Sequence, residues 1–292
     1  MKKVFILLAV GLTLFACNTK NQQDKKEKKT VDVPSEIPVA PTSQVPPQTN
    51  TQSLANTPML KLEEGKPLDL SQLMGKQRKT FGEVVAEQID SIRYKAEKGN
   101  ADYEYLYAAC LENGWGVDAN ALQALTWYKK AADQKQKASY NAIGNIYRLG
   151  LGIKPNEKEA FRWFQMGAEA NDAEAMLNLG NCYYFGMGTK KNVTQAVQWW
   201  QQSANNSNAF ALAQMGDCYL YGIGVEKDLE KAVNYLTQAA DHNVEGAQYR
   251  LGILYYTGQG VKQDLAYSKL LMSKARDGGM KEAQEFLDKN FK

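Results

Sequence analysis

Glycine pairs recur along this chain at one fixed interval. Gly114/Gly116, Gly150/Gly152, Gly186/Gly188, Gly222/Gly224 and Gly258/Gly260 each stand 36 residues after the pair before. A period of that size is the signature of stacked helical hairpins, because one such unit cannot bury its apolar face without a neighbour. Other positions keep the same phase. Six residues before the first glycine stand Ala108, Gly144, Gly180, Gly216 and Gly252; three before it stand Leu111, Tyr147, Tyr183, Tyr219 and Tyr255. Thirteen after it stand Trp127, Trp163, Trp199, Tyr235 and Leu271.

Each column has a physical reading. Ile143, Gly144 and Tyr147, like Leu179, Gly180 and Tyr183, form an apolar stripe on a first helix, with a glycine where another helix must come close. The Gly-x-Gly turn ends that helix by allowing positive φ. Six residues after its first glycine come Asn120, Asn156, Asn192, Asp228 and Asp264, all strong helix N-caps. Gln123, Glu159 and Gln195 lie three residues further on, a capping-box pattern. In the second helix Ala124, Ala160, Ala196 and Ala232 face its partner. Trp127, Trp163 and Trp199 are expected to fill the core between hairpins. Trp115 and Trp200 are less determined.

These columns resemble the Sel1-like repeat family, relatives of the tetratricopeptide repeat with a slightly longer unit. The fourth repeat carries the pattern through Ala211, Met215, Gly216, Tyr219, Gly222, Gly224, Val225, Asp228, Ala232, Tyr235, Ala239 and Ala240. The first departs at Tyr103, Tyr107, Ala108 and Leu111, the last at Ser268, Leu271 and Arg276, as capping repeats do. The expected fold is therefore all-α: a right-handed α-solenoid of about five stacked helix-turn-helix repeats over 101–278. A capping region at 68–100, with one amphipathic helix over Thr80 to Lys98, precedes them. A closing helix at 279–292 follows.

The residues ahead of the solenoid read differently. Lys2 and Lys3 precede an apolar run, Val4 to Phe15, too short for the roughly 20 residues that span a bilayer. This is the pattern of a signal peptide, 1–16. Leu14-Phe15-Ala16-Cys17 resembles the bacterial lipobox, with Phe15 in a place usually held by a small residue. That resemblance implies cleavage before Cys17, its acylation, and a membrane anchor. Asn18 after the cysteine implies an outer-membrane lipoprotein, periplasmic or surface-facing. From 17 to 67 the chain loses apolar periodicity and gathers Lys, Thr, Gln and six prolines, Pro34 to Pro58. It is expected to be a disordered tether. As a flexible coil about fifty residues would span roughly 40 Å.

Charge and chemistry narrow the function. Without Lys2 and Lys3 the chain holds 33 basic and 32 acidic residues, which lacks the positive field that nucleic-acid binding needs. His242 is the one histidine, in a loop between repeats, and nothing at catalytic spacing pairs with it. Cys110, Cys182 and Cys218 share one phase on first helices. The disulfides of cysteine-rich relatives join the two helices of one repeat, and a second cysteine per repeat is missing here. The three are expected to be reduced core residues. No metal-ligand cluster and no cofactor motif is present. Some relatives act on penicillin-type compounds, but the Ser-x-x-Lys pattern is absent. The expectation is a protein that is not an enzyme.

If tetratricopeptide geometry carries over, the first helices line a concave face at positions nine, five, two and one before the turn glycine. The binding surface would comprise Tyr105, Asn145, Arg148, Leu177, Asn181, Tyr184, Phe185, Asp217, Tyr221, Tyr249 and Tyr256. Asn145, Asn181 and Asp217 would form a ladder for the backbone of an extended peptide. The aromatics and Arg148 would supply hot spots. The competing expectation for single rings is packing between repeats. Three functions follow: an envelope adaptor for protein partners, which the unspecialised groove favours; an immunity-type protein holding one toxin; and an envelope enzyme, or its activator, acting on peptidoglycan.

Overall fold

A computed structural model describes residues 80–291, all within one compact unit. The expected signal peptide at 1–16, Cys17 and the expected tether at 17–67 fall outside the described residues. Among those described there are 13 α-helices and no strands. Two short helices, α1 (Phe81–Ala86) and α2 (Ile89–Glu97), come first. Five hairpins follow: α3 (Ala101–Asn113) with α4 (Ala121–Asp133), α5 (Lys137–Leu149) with α6 (Glu157–Glu169), and α7 (Ala173–Phe185) with α8 (Val193–Asn205). Then come α9 (Ala209–Tyr221) with α10 (Leu229–Asp241), and α11 (Glu245–Thr257) with α12 (Leu265–Asp277). Helix α13 (Lys281–Asn290) closes the stack.

The helix ends are set locally. Gly114, Gly150, Gly186, Gly222 and Gly258 cap the first helices in the left-handed conformation, with φ from 71° to 77°. Asn120, Asn156, Asn192, Asp228 and Asp264 cap the second helices, each side chain accepting from the backbone N–H three residues on. The reciprocal half of the expected capping box is replaced by a different bond. The backbone N–H of each cap donates instead to the carbonyl of Leu111, Tyr147, Tyr183, Tyr219 or Tyr255, at 2.6–3.0 Å. One residue thus ties the end of the first helix to the start of the second, and Gln123, Glu159 and Gln195 are not needed for it.

The core of each hairpin sets a large side chain against a small one, a glycine in four of the five repeats. A Cβ on Gly144 would come within 2.5 Å of Phe164, on Gly180 within 2.5 Å of Trp200, on Gly216 within 2.7 Å of Leu236 and on Gly252 within 2.9 Å of Met272. With Tyr128, those four side chains are at most 2% exposed. They stand fourteen residues after the turn glycine, which corrects the expectation for Trp127, Trp163 and Trp199 at thirteen. One residue is a rotation of about 100° on a helix, enough to move a ring from the helix–helix seam to its flank. The three tryptophans are half-buried there; Trp127 packs edge-on against Tyr107 at 5.4 Å, with Lys130 Nζ 3.7 Å from its ring centre. Ala124, Ala160, Ala196 and Ala232 are fully buried, as read from the sequence.

The stack is extended by half a repeat at each end. The expected single helix over Thr80–Lys98 is two helices that break at Glu87–Gln88, the first opened by a complete Thr80/Glu83 capping box. Helix α2 takes the place of a second helix, and its Ala96, 36 residues ahead of Ala132, is buried. Trp115, half-buried, packs against Gly82 of α1. Between repeats the chain turns at Gly99, Lys135, Asn171, Ser207, Asn243 and Gly279, all at positive φ. Four of these six are not glycine, so the turn carries no sequence mark. Successive first helices approach one another directly, α5 with α7 and α9 with α11.

Candidate functional site

The positions expected to line the first-helix face divide into three groups. Tyr105, Leu177 and Asp217 are buried and do not line a surface. Tyr105 packs on Tyr128 in the core of the first hairpin, with ring centres 5.4 Å apart. Tyr249 and Tyr256 are half-buried under the chain's own closing helix. Phe286 of α13 lies 6.4 Å and 5.2 Å from their ring centres, and the Tyr256 hydroxyl donates to Asn290 at 3.3 Å. The remaining six, Asn145, Arg148, Asn181, Tyr184, Phe185 and Tyr221, reach the surface on α5, α7 and α9.

Within that middle stretch the two asparagines use their carbonyl oxygens within the chain. Asn145 Oδ1 accepts from Arg148 Nη2 at 3.0 Å and from its Nε at 3.3 Å. Asn181 Oδ1 accepts from Trp200 Nε1 at 3.1 Å. Both amides keep their NH2 groups for a partner's carbonyls. Around them stand Tyr184, edge-on to Phe185 at 4.9 Å and under Lys191 at 5.3 Å, and Phe185 itself, 41% exposed. Phe185 is the one large apolar side chain of a first helix, among the described residues, with so much open surface. Partial burial lowers the Arg148 pKa from its ordinary value.

Asp217 belongs to a different arrangement from the expected ladder. Its carboxylate pairs with Arg250 Nε of the next first helix at 2.9 Å, both side chains 7% exposed. Burial pushes Asp217 up to about 6 against the pull of Arg250. The Tyr221 hydroxyl beside them is pushed up to about 12, first by burial and then by the Asp217 charge. Sequence reasoning missed Arg250, which sits eight residues before its turn glycine, one outside the columns assigned to the face. Its signal was an arginine where the other repeats carry Leu106, Ala142, Asn178 and Gln214. A second polar link was also missed: Asn178 donates to Asn141 at 2.8 Å and Asn141 to Glu174 at 2.9 Å, joining α5 to α7.

Elsewhere the chemistry is quiet. His242 is exposed at the C-terminus of α10. Cys110, Cys182 and Cys218 are buried free thiols whose pKa values burial raises to about 12, so they stay protonated and unreactive at neutral pH. Among the described residues no cluster of His, Cys, Asp or Glu could hold a metal, and no helix is long and apolar enough to cross a membrane. A cleft of about 500 Å³ opens between α8 and α10, beside Tyr219 and Tyr235. It lies away from the first-helix face, and its polar rim is already paired internally, Lys231 with Asp228 and Gln238 with Asn234.

Comparison with known proteins agrees with this architecture. The family model described as Sel1 repeat matches five times, at residues 101–135, 137–172, 173–208, 209–244 and 246–280. A Sel1 repeat protein from Oxalobacter formigenes superposes with a TM-score of 0.63 at 28% identity, over 69% of this chain and 88% of that one. A protective antigen of uropathogenic Escherichia coli with an SLR fold, c5321, gives 0.62 at 27% identity, over 77% of this chain. The match spans 52%, about half, of that antigen. No curated protein sequence matches.

Proposed function

The chain belongs to the Sel1 repeat family, and from that premise we propose that it is a membrane-anchored adaptor of the bacterial cell envelope that binds a protein or peptide partner on its first-helix face. The observation that carries this reading is the open middle of that face. There Phe185, 41% exposed, stands with Tyr184, Tyr221, Arg148 and two asparagine amides on three successive first helices. Aromatic and arginine side chains dominate binding energy at interfaces, and amide donors one repeat apart suit the carbonyls of an extended chain. The reading includes a lipid on Cys17, which places the solenoid at the outer membrane with a tether between them, and it assigns no catalytic role.

Photocrosslinking from position 185 in intact cells tests it. Capture of envelope proteins, with capture and affinity both reduced at least tenfold by Phe185→Ala with Asn181→Ala, is the expected result; tenfold corresponds to about 1.4 kcal/mol. Unchanged affinity in the double variant removes the face from the argument. Capture of one toxin alone replaces the adaptor by an immunity protein. Cys17→Ser is expected to release the chain from membranes.

A further inference from the structure

Three buried side-chain atoms where α9 meets α11 make no well-aligned hydrogen bond: Asp217 Oδ1, Arg250 Nη1 and the Tyr221 hydroxyl, although Arg250 lies close enough to Tyr221 to pull its pKa down against burial. They are the three such side-chain atoms among the described residues. The Arg250 Nε lies 2.9 Å from Asp217 Oδ1, an ion-pair distance without hydrogen-bond alignment. Native proteins satisfy nearly all buried polar groups, and an orphan is costly to keep. Three together, across a repeat boundary on the face already assigned to a partner, call for an explanation in terms of a ligand.

The chemistry of the cluster selects what that ligand is. Asp217 and Arg250 cancel in charge, so the site as a whole is neutral. It offers donors from Arg250 and Tyr221 and an acceptor from Asp217. A carboxylate would bring no donor and would face the Asp217 charge; an ammonium would bring no acceptor and would face Arg250. A neutral amide brings both, its carbonyl to Arg250 Nη1 and Tyr221 and its N–H to Asp217 Oδ1. Every residue of a polypeptide main chain other than proline carries such a group.

We propose that Asp217, Arg250 and Tyr221 form a receptor for one main-chain peptide group of a bound polypeptide. The proposal rests on the reading of this face as polypeptide-binding and adds to it a fixed anchor point that is blind to side chains. Asp217 and Arg250 each keep 7% of their side-chain surface and Tyr221 is half-buried, so binding requires the Tyr221 ring to shift enough to admit the peptide group while its hydroxyl stays within reach of the incoming carbonyl. Asn145 and Asn181 on the preceding first helices then meet further carbonyls of the same strand.

The test uses the full-length chain and an uncharged hexapeptide of alternating glycine and serine, acetylated and amidated at its ends, so that main chain is what it mostly presents. Nuclear magnetic resonance reads the Arg250 Nε–H signal and the side-chain amides of Asn145 and Asn181 during titration. A saturable shift of the Arg250 signal is expected, weakened about threefold to fivefold in Tyr221→Phe and abolished in Asp217→Leu with Arg250→Leu. Tyr221→Phe removes a single oxygen, so it remains informative if the double variant folds poorly. Sodium acetate at the same concentration is expected to give no saturable shift; an equal response to acetate makes the cluster an anion site and overturns the proposal. If the asparagine amides respond while Arg250 does not, the peptide-group receptor fails and the first-helix face stands. If neither responds, both fail.

Discussion

Asp217 shows what one buried carboxylate does to this protein. Its ordinary pKa of 3.8 is raised to about 6 in the fold, chiefly because burial penalises the charged form. A raised carboxylate pKa means that the folded chain holds the proton more tightly than the unfolded one. Its contribution to stability is therefore complete below the unfolded pKa and is lost as pH rises through the folded one. Asp172, the N-cap of α7, behaves alike, raised to about 6. Stability should decline between about pH 4 and pH 7, by on the order of 2 kcal/mol for each group. Urea unfolding across that range, in the parent and in Asp217→Asn, measures it; the variant should show the smaller slope. An equal slope in both would mean that Asp217 does not titrate in this window. The Asp217–Arg250 pair was not legible in the columns, because a contact between residues 33 positions apart follows from how two repeats pack rather than from the phase within either.

Among the elements, the two kinds of turn differ in how openly they are written. The turn within a hairpin uses glycine at both left-handed positions in all five repeats and could be read directly. The turn between hairpins takes up the same backbone conformation at Lys135, Asn171, Ser207 and Asn243, where side chains tolerate it at a cost. A non-glycine residue there costs about 1–2 kcal/mol, partly offset by the entropy that glycine loses on folding. Ser207 is exposed, so Ser207→Gly should stabilise the protein by about 0.5–1 kcal/mol. The midpoint of urea unfolding should rise with an unchanged slope; a lower midpoint would show that the serine makes a contact worth more than the strain. Capping was legible as well, but only by half. Asn and Asp at the N-cap announced the second helices, while the bond that completes each cap comes from a carbonyl nine residues earlier, a partner the capping-box pattern does not include.

For the whole molecule, the stack is as long as its ends allow. Half-repeats α2 and α13 cover the apolar faces of the first and last hairpins, with Ala96 at one end and Ala283 and Leu287 at the other buried. Stability in such arrays is the sum of each repeat and its interfaces, so loss of an end should cost more than its own residues. Deleting 281–292 should lower the melting temperature by several degrees and promote self-association as Tyr249 and Tyr256 lose the cover of Phe286, observable by circular dichroism and size-exclusion chromatography. A truncated chain that stayed monomeric with an unchanged melting temperature would show that α13 is not a cap. The same helix decides how much of the first-helix face is open, since it takes Tyr249 and Tyr256 away from any partner.

What the residues determine unaided is whatever repeats and acts locally: helix length, the glycine turns, the Asn and Asp caps, and the pairing of small residues with large ones within a hairpin. Those choices involve neighbours a few residues to one period away and are written five times over, so they survive in the pattern. Which columns end at the seam, which at the flank and which in the open depended on rotation of one helix against the next, a matter of about 100° per residue that a column of aromatics does not specify. Helix rotation within the hairpin set Phe164 rather than Trp163 in the core, and packing between repeats joined Asp217 to Arg250 and left the middle of the first-helix face open.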